Sequence, residues 1–63
     1  MTDVSLAILR MLAGNMKDSE IAFALNLEPA EIEVRIRDLF HEYGINTRRA
    51  LVAAAIERSI IDL

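Results

Sequence analysis

Four arginines in the second half of the chain are placed to make contacts to phosphate or to guanine. They are Arg35, Arg37, Arg48 and Arg49. A guanidinium group binds phosphate oxygens and the major-groove edge of guanine through paired hydrogen bonds. The same arginines can instead stay solvated and pair with acidic residues about one helical turn away. The acidic residues concerned are Glu31, Glu33, Asp38 and Glu42. Nucleic-acid contact and local pairing therefore both remain open.

Three other side chains are candidates for a binding surface. Val34 is suited to a thymine methyl group, although surface exposure or a protein contact is favoured for such a residue. His41 is suited to a phosphate contact, although a solvated histidine is favoured. Phe23 belongs either to the core or to a patch for a partner, and the sequence favours the core. Val34 and His41 join the arginines as candidate DNA-binding residues.

Catalysis and metal binding have few candidate groups in this chain. The sequence contains no cysteine, and His41 is its one imidazole. This composition excludes thiolate nucleophiles, zinc–thiolate sites and sites with several histidines. The sequence also lacks a Ser/His/Asp set and a glycine-rich phosphate loop. We predict a protein that is not an enzyme and that uses no metal or cofactor.

Length and composition limit the chain to one small domain over residues 1–63. Of its 63 residues 54% are hydrophobic, and its formal net charge is −3. Domains of about 60 residues bury only about 60% of their unfolded surface, so surplus apolar surface favours a dimer or a tight partner complex. No apolar run reaches the roughly 18–20 residues of a membrane span, and the N-terminus does not resemble a signal peptide. We expect a cytoplasmic protein, complete from Met1 to its compact end.

Glycine, proline and capping residues divide the chain into four segments of helical length. Gly14 and Gly44 each end a segment, and Pro29 begins one. No β-hairpin pattern occurs, so the predicted fold class is all-α. The predicted helices span Asp3–Ala13 after the cap Thr2, Ser19–Leu25 after the cap Asp18, the stretch from Pro29 to the stop at Gly44, and the stretch that starts after Asn46-Thr47, either of which can cap, and runs to about Asp62.

The fourth helix is apolar on more than one side, which indicates that it is covered from more than one direction. The side predicted to pack on the other helices comprises Val52, Ala55, Ile56, Ser59 and Leu63. The other side needs a partner, and alanines there allow close approach. The predicted dimer interface comprises Ala53, Ala54, Glu57, Ile60 and Ile61.

The middle of the chain has the pattern of a helix-turn-helix. A short helix, a tight turn at Asn26-Leu27-Glu28 and a longer helix with a polar outer face follow one another. A plain helical interaction domain shares this periodicity, so the pattern alone leaves both interpretations open.

Short motifs along the chain follow the order of a known DNA-binding family. They are Ile8-Leu9-Arg10-Met11-Leu12-Ala13, Ser19-Glu20-Ile21-Ala22 with Leu25-Asn26-Leu27, Gly44-Ile45, and Asn46-Thr47-Arg48-Arg49-Ala50. With these motifs the chain resembles, without gaps, the LuxR-type helix-turn-helix domain of GerE, NarL and FixJ. The resemblance implies four helices, of which the third contacts DNA and the fourth makes the dimer contact.

Three acidic residues depart from the family pattern. The family typically has Ser, Thr and Lys where this chain has Glu28, Glu31 and Glu33. Residues 18–34, which we call the acidic segment, contain five acidic side chains and no basic one, a net charge of −5. Because contacts from Lys and Arg to phosphate dominate DNA affinity, this segment is expected to repel a duplex.

Two functions are therefore predicted as alternatives. The first is a small LuxR-type transcriptional regulator, a homodimer through its last helix, that contacts DNA with its third helix. The second is a relative that is deficient in DNA binding and acts by protein–protein interaction. Such a relative engages a LuxR-type regulator, either as a heterodimer that inactivates it or as a DNA mimic.

Overall fold

The computed structural model describes residues 2–62. These residues contain four α-helices and no strand. Met1 lies outside the described residues, as does Leu63, which was predicted to pack on the core side of the last helix. The predicted all-α class is confirmed. The helices are α1 (Asp3–Ala13), α2 (Asp18–Leu25), α3 (Pro29–Tyr43) and α4 (Arg48–Glu57).

The bounds of α1 are those predicted from its capping residues. The Thr2 hydroxyl accepts a hydrogen bond from the Ser5 amide at 3.1 Å, which satisfies one of the free amides of the first turn. After Ala13 the backbone leaves the helix, and Asn15 adopts a left-handed conformation with φ 63°. Asparagine tolerates this conformation better than most residues. The chain then turns toward α2.

The start of α2 corrects the predicted cap. The helix begins at Asp18 rather than after it, and the Lys17 amide donates to the Glu20 carboxylate at 2.8 Å. Glu20 therefore closes this end of the helix, while the Asp18 carboxylate is engaged by Arg48. The far end follows the prediction, since Asn26 is left-handed with φ 57° and the Leu27 amide donates to the Ala22 carbonyl at 2.8 Å.

Proline and glycine delimit α3 as the sequence predicted. Pro29 occupies the first turn, where its missing amide leaves no helical hydrogen bond unmade. Gly44 follows the helix with φ 67°, a conformation that glycine adopts without a Cβ penalty. The Ile45 amide then donates to the Phe40 carbonyl at 3.0 Å and closes the turn.

The end of α4 differs from the prediction. The helix starts after Thr47, whose hydroxyl accepts from the Ala50 amide at 3.1 Å, but it ends at Glu57 rather than near Asp62. Ser59 is left-handed with φ 59°, and the Ile60 amide donates back to the Ala55 carbonyl at 2.8 Å. This closure turns the chain inward.

One hydrophobic core joins all four helices. Its buried members are Ile8, Leu9, Leu12, Ile21, Ala22, Ile32, Ile36, Leu39, Leu51, Ala55 and Ile61. No polar or charged residue is buried among the described residues, so hydrophobic packing holds the fold together. The guanidinium of Arg58 lies 4.9 Å from the centroid of the Tyr43 ring and adds a contact between the ends of α4 and α3.

The position of Phe23 contradicts the sequence prediction. The side chain was expected in the core, and it is 90% exposed. Ile21 and Ala22 already provide the buried face of the short helix α2. Each residue of a helix is rotated by about 100° from the one before, so Phe23 points away from that face.

Candidate nucleic-acid interface

The outer side of α3 presents a stripe of exposed residues. Ile32, Ile36 and Leu39 face the core, so the opposite side of the helix is directed outward. Val34, Arg37 and His41 lie on that side, and all three are exposed, Val34 at 47%. Residues three, four and seven positions apart lie on one side of a helix. The structure therefore places three of the predicted DNA-binding residues together.

Arg35 lies on the flank of α3 and pairs with a residue of its own helix. Its guanidinium is 3.5 Å from the Glu31 carboxylate, one turn earlier, and the two side chains are 34% and 45% exposed. The Nε of Arg35 is buried and has no hydrogen-bond partner in the part of the chain that the structure describes. Local pairing, one of the two interpretations left open by the sequence, is the arrangement observed for Arg35.

Arg48 is held by the first residue of α2. Its two terminal nitrogens donate to the two oxygens of Asp18, and the Nη2–Oδ2 distance is 2.8 Å. These hydrogen bonds lower the pKa of the Asp18 carboxyl, although partial burial opposes them. Hydrogen bonding to Asp18 likewise raises the pKa of Arg48, and a smaller electrostatic attraction to Glu33 acts in the same direction. The pair joins α2 to α4, whose backbones do not pack on each other.

Arg37 and Arg49 make no ion pair with the described residues. Both side chains are exposed. Arg49 follows the α4 cap and borders a shallow pocket of about 280 Å³ at the end of α1, with Arg48 on the same rim. The apolar part of the pocket is formed by Leu12, Ala13, Met16 and Val52. The four predicted arginines thus divide into two that are paired and two that are available to a ligand.

The predicted dimer residues do not form one exposed set. Ala53 and Glu57 are exposed, while Ala54 and Ile60 are half-buried. Ile61 is 2% exposed and belongs to the core, so its assignment to the dimer interface was wrong. The physical reason is the turn at Ser59, which takes residues 59–62 off the helix and returns Ile61 inward. A continued helix would have kept Ile61 on the outer side.

None of the exposed large apolar side chains among the described residues lies on α4. Within residues 2–62 they are Phe23 on α2 and Val34 on α3. Val52 and Ile56 pack against the core, on the side for which this was predicted. Ile60, which was predicted to need a partner, also packs in part against the core. The exposed large apolar side chains therefore lie on α2 and α3 rather than on α4.

The described residues hold no cluster suited to a metal ion. No group of three or more His, Asp or Glu side chains is placed to bind one between residues 2 and 62. None of the described helices is long and apolar enough to cross a membrane.

One feature of the site had no local indication in the sequence, and a second feature had a single one. The Asp18–Arg48 pair joins residues 30 positions apart, so neither helical spacing nor a motif relates them. The exposure of Phe23 depends on how α2 is rotated against α3. Its place directly after two buried residues was the one available hint.

Comparison of the chain with protein-family models finds no match, and comparisons with curated proteins and with solved structures find none either.

Proposed function

We propose that this chain is a small LuxR-type helix-turn-helix regulator of transcription that contacts DNA with α3. The observation that carries the proposal is the exposed stripe of Val34, Arg37 and His41 on the helix that follows the turn at Asn26. A helix of this kind enters the major groove and presents its outer side chains to bases and phosphates. The sequence resemblance supports the same assignment.

The proposed contacts differ in strength from one residue to the next. Arg37 binds guanine or phosphate, Arg49 and His41 bind phosphate, and Val34 meets a thymine methyl. Arg35 exchanges Glu31 for phosphate at little cost, because an exposed ion pair contributes only about 0–1 kcal/mol. Arg48 contributes less, because two hydrogen bonds hold it to Asp18.

In this proposal the protein acts as a dimer through α4. Ala53 and Glu57 are exposed, and the small side chains of Ala53 and Ala54 allow two helices to approach closely. Ile60 contributes from the edge of this surface. A symmetric dimer places its two α3 helices about one turn of DNA apart, so the operator has two related half-sites. A heterodimer with another LuxR-type regulator uses the same surface.

The second candidate function is protein–protein interaction without DNA binding. A specific observation favours it: Asp18 and Glu31, both in the acidic segment, pair with two of the four predicted DNA-binding arginines. The remaining negative charge at the start of α3 repels phosphate. In this case the chain inactivates a LuxR-type regulator by pairing with it or by imitating DNA.

Fluorescence anisotropy with a labelled duplex of random sequence tests the first candidate against the second. We expect micromolar binding that weakens steeply between about 50 and about 200 mM salt. Arg37→Ala should weaken binding and reduce the slope of log affinity against log salt by about 1, because one phosphate contact is lost. Arg10→Ala on α1 is the matched control, since it removes the same charge from an exposed site outside the proposed interface.

The outcome separates the two candidates. Equal losses for Arg37→Ala and Arg10→Ala would remove the outer side of α3 from the binding site. No binding at low salt would reject the first candidate and leave the second.

A further inference from the structure

Phe23 is an exposed aromatic side chain that the proposed DNA contacts do not use. It lies on α2 and is 90% exposed, although its neighbours Ile21 and Ala22 are buried. Phenylalanine is among the residues most often found inside proteins, and aromatic anchors dominate protein interfaces. A phenylalanine that is this exposed on a folded helix is available as an anchor for a contact with another molecule.

The charge around Phe23 in the sequence is uniformly negative. Phe23 lies within the acidic segment, and Glu20 lies three residues before it on the exposed side of α2. Intramolecular ion pairs engage Asp18 and Glu31, whereas Glu28 and Glu33 make none with the described residues. This segment thus combines one aromatic anchor with carboxylates that are available to a cation.

We propose that Phe23 and the exposed carboxylates of the acidic segment form a docking surface for a basic segment of a partner protein. The partner supplies an apolar face for the Phe23 ring and Lys or Arg side chains for the carboxylates. Complementary charge speeds association and selects the partner, while the buried ring provides the anchor.

The same charge argues against other classes of partner. A nucleic acid and an anionic membrane surface both carry negative charge, and the carboxylates of the acidic segment repel them. The anchor Phe23 lies on α2, whereas the proposed DNA contacts lie on α3 and α4. The test of the docking surface is therefore independent of whether the chain binds DNA.

Two synthetic helical peptides serve as probes. The first has leucines on one side and lysines on the other, and the second has glutamates in place of the lysines. We expect isothermal titration calorimetry to detect binding of the lysine peptide that weakens with salt, and no binding of the glutamate peptide. Phe23→Ser should weaken binding at least tenfold. Val34→Ser is the matched control, because it removes the other exposed large apolar side chain, and it should leave binding unchanged.

Three results would overturn the proposal. Equal affinity of the lysine peptide for the parent and for Phe23→Ser would show that the ring is not the anchor. Equal binding of the two peptides would show that charge does not select the partner. Sedimentation in which the parent self-associates and Phe23→Ser does not would assign the surface to a second copy of the chain. Phe23 is too exposed for its replacement to unfold the protein, and circular dichroism checks this.

Discussion

At the scale of single residues, the structure distinguishes arginines that hold the fold together from arginines that are available to a ligand. Arg48 makes two hydrogen bonds to Asp18 and joins α4 to α2, whereas its neighbour Arg49 makes no ion pair with the described residues. Consecutive residues of a helix point about 100° apart, so such different roles are compatible with adjacent positions. The four arginines that the sequence singles out therefore do not form one uniform surface.

Arg48→Gln should lower the free energy of unfolding at neutral pH by about 0.5–1 kcal/mol, because the pair is partly exposed and screened by solvent. The pKa of Asp18 is lowered in the folded protein, so the contribution of the pair is present above the ordinary aspartate pKa. It is lost as the pH falls through the lowered pKa. Urea unfolding at neutral pH and below about pH 4 measures the difference.

Arg49→Gln is the control for this experiment, since it makes the same change of charge one residue away. It should change stability little at either pH. A loss for Arg48→Gln that persists undiminished at low pH would show that the ion pair is not its cause.

At the scale of the elements, local chemistry accounts for most helix ends but not for the last one. The predicted residues begin or end these helices, because a cap depends only on residues within one turn. They are Thr2 for α1, Pro29 and Gly44 for α3, and Thr47 for α4. The end of α4 has no glycine or proline. Ser59 adopts the left-handed conformation there, and the gain is the burial of Ile61.

Ile61→Val should reduce stability by about 0.5–1.5 kcal/mol, because it removes one methylene from the core and leaves a cavity. Ile60→Val, next to it and half-buried, should cost less. Thermal or urea unfolding of the two variants measures the difference. A larger effect at residue 60 would indicate that residues 59–62 continue the helix, as the sequence predicted.

At the scale of the whole molecule, the unequal distribution of charge and apolar surface decides what the chain can bind. The acidic segment has a net charge of −5, and the whole chain has a net charge of −3. The residues outside the segment therefore sum to +2. The described residues have their exposed large apolar side chains on α2 and α3. The proposed assembly through α4 therefore depends on close backbone approach at small residues more than on a large apolar patch.

Ala53→Lys should convert the proposed dimer into a monomer, because it places a long charged side chain where two α4 helices meet. Ala53 is exposed, so the change leaves the fold intact. Sedimentation velocity measures the mass of the parent and of the variant. Ala30→Lys, at an exposed site on α3, is the control and should leave the mass unchanged. A dimer that survives Ala53→Lys would place the interface away from α4.

The sequence by itself determined the all-α class, the starts of α1, α3 and α4, and the outward stripe of Val34, Arg37 and His41. Caps and helical periodicity are local properties, and they can be read over a few residues. Tertiary structure alone decided the pairing of Arg48 with Asp18 and the burial of Ile61. Each of these depends on how distant helices are packed and rotated in a shared core, a property that no short stretch of sequence contains.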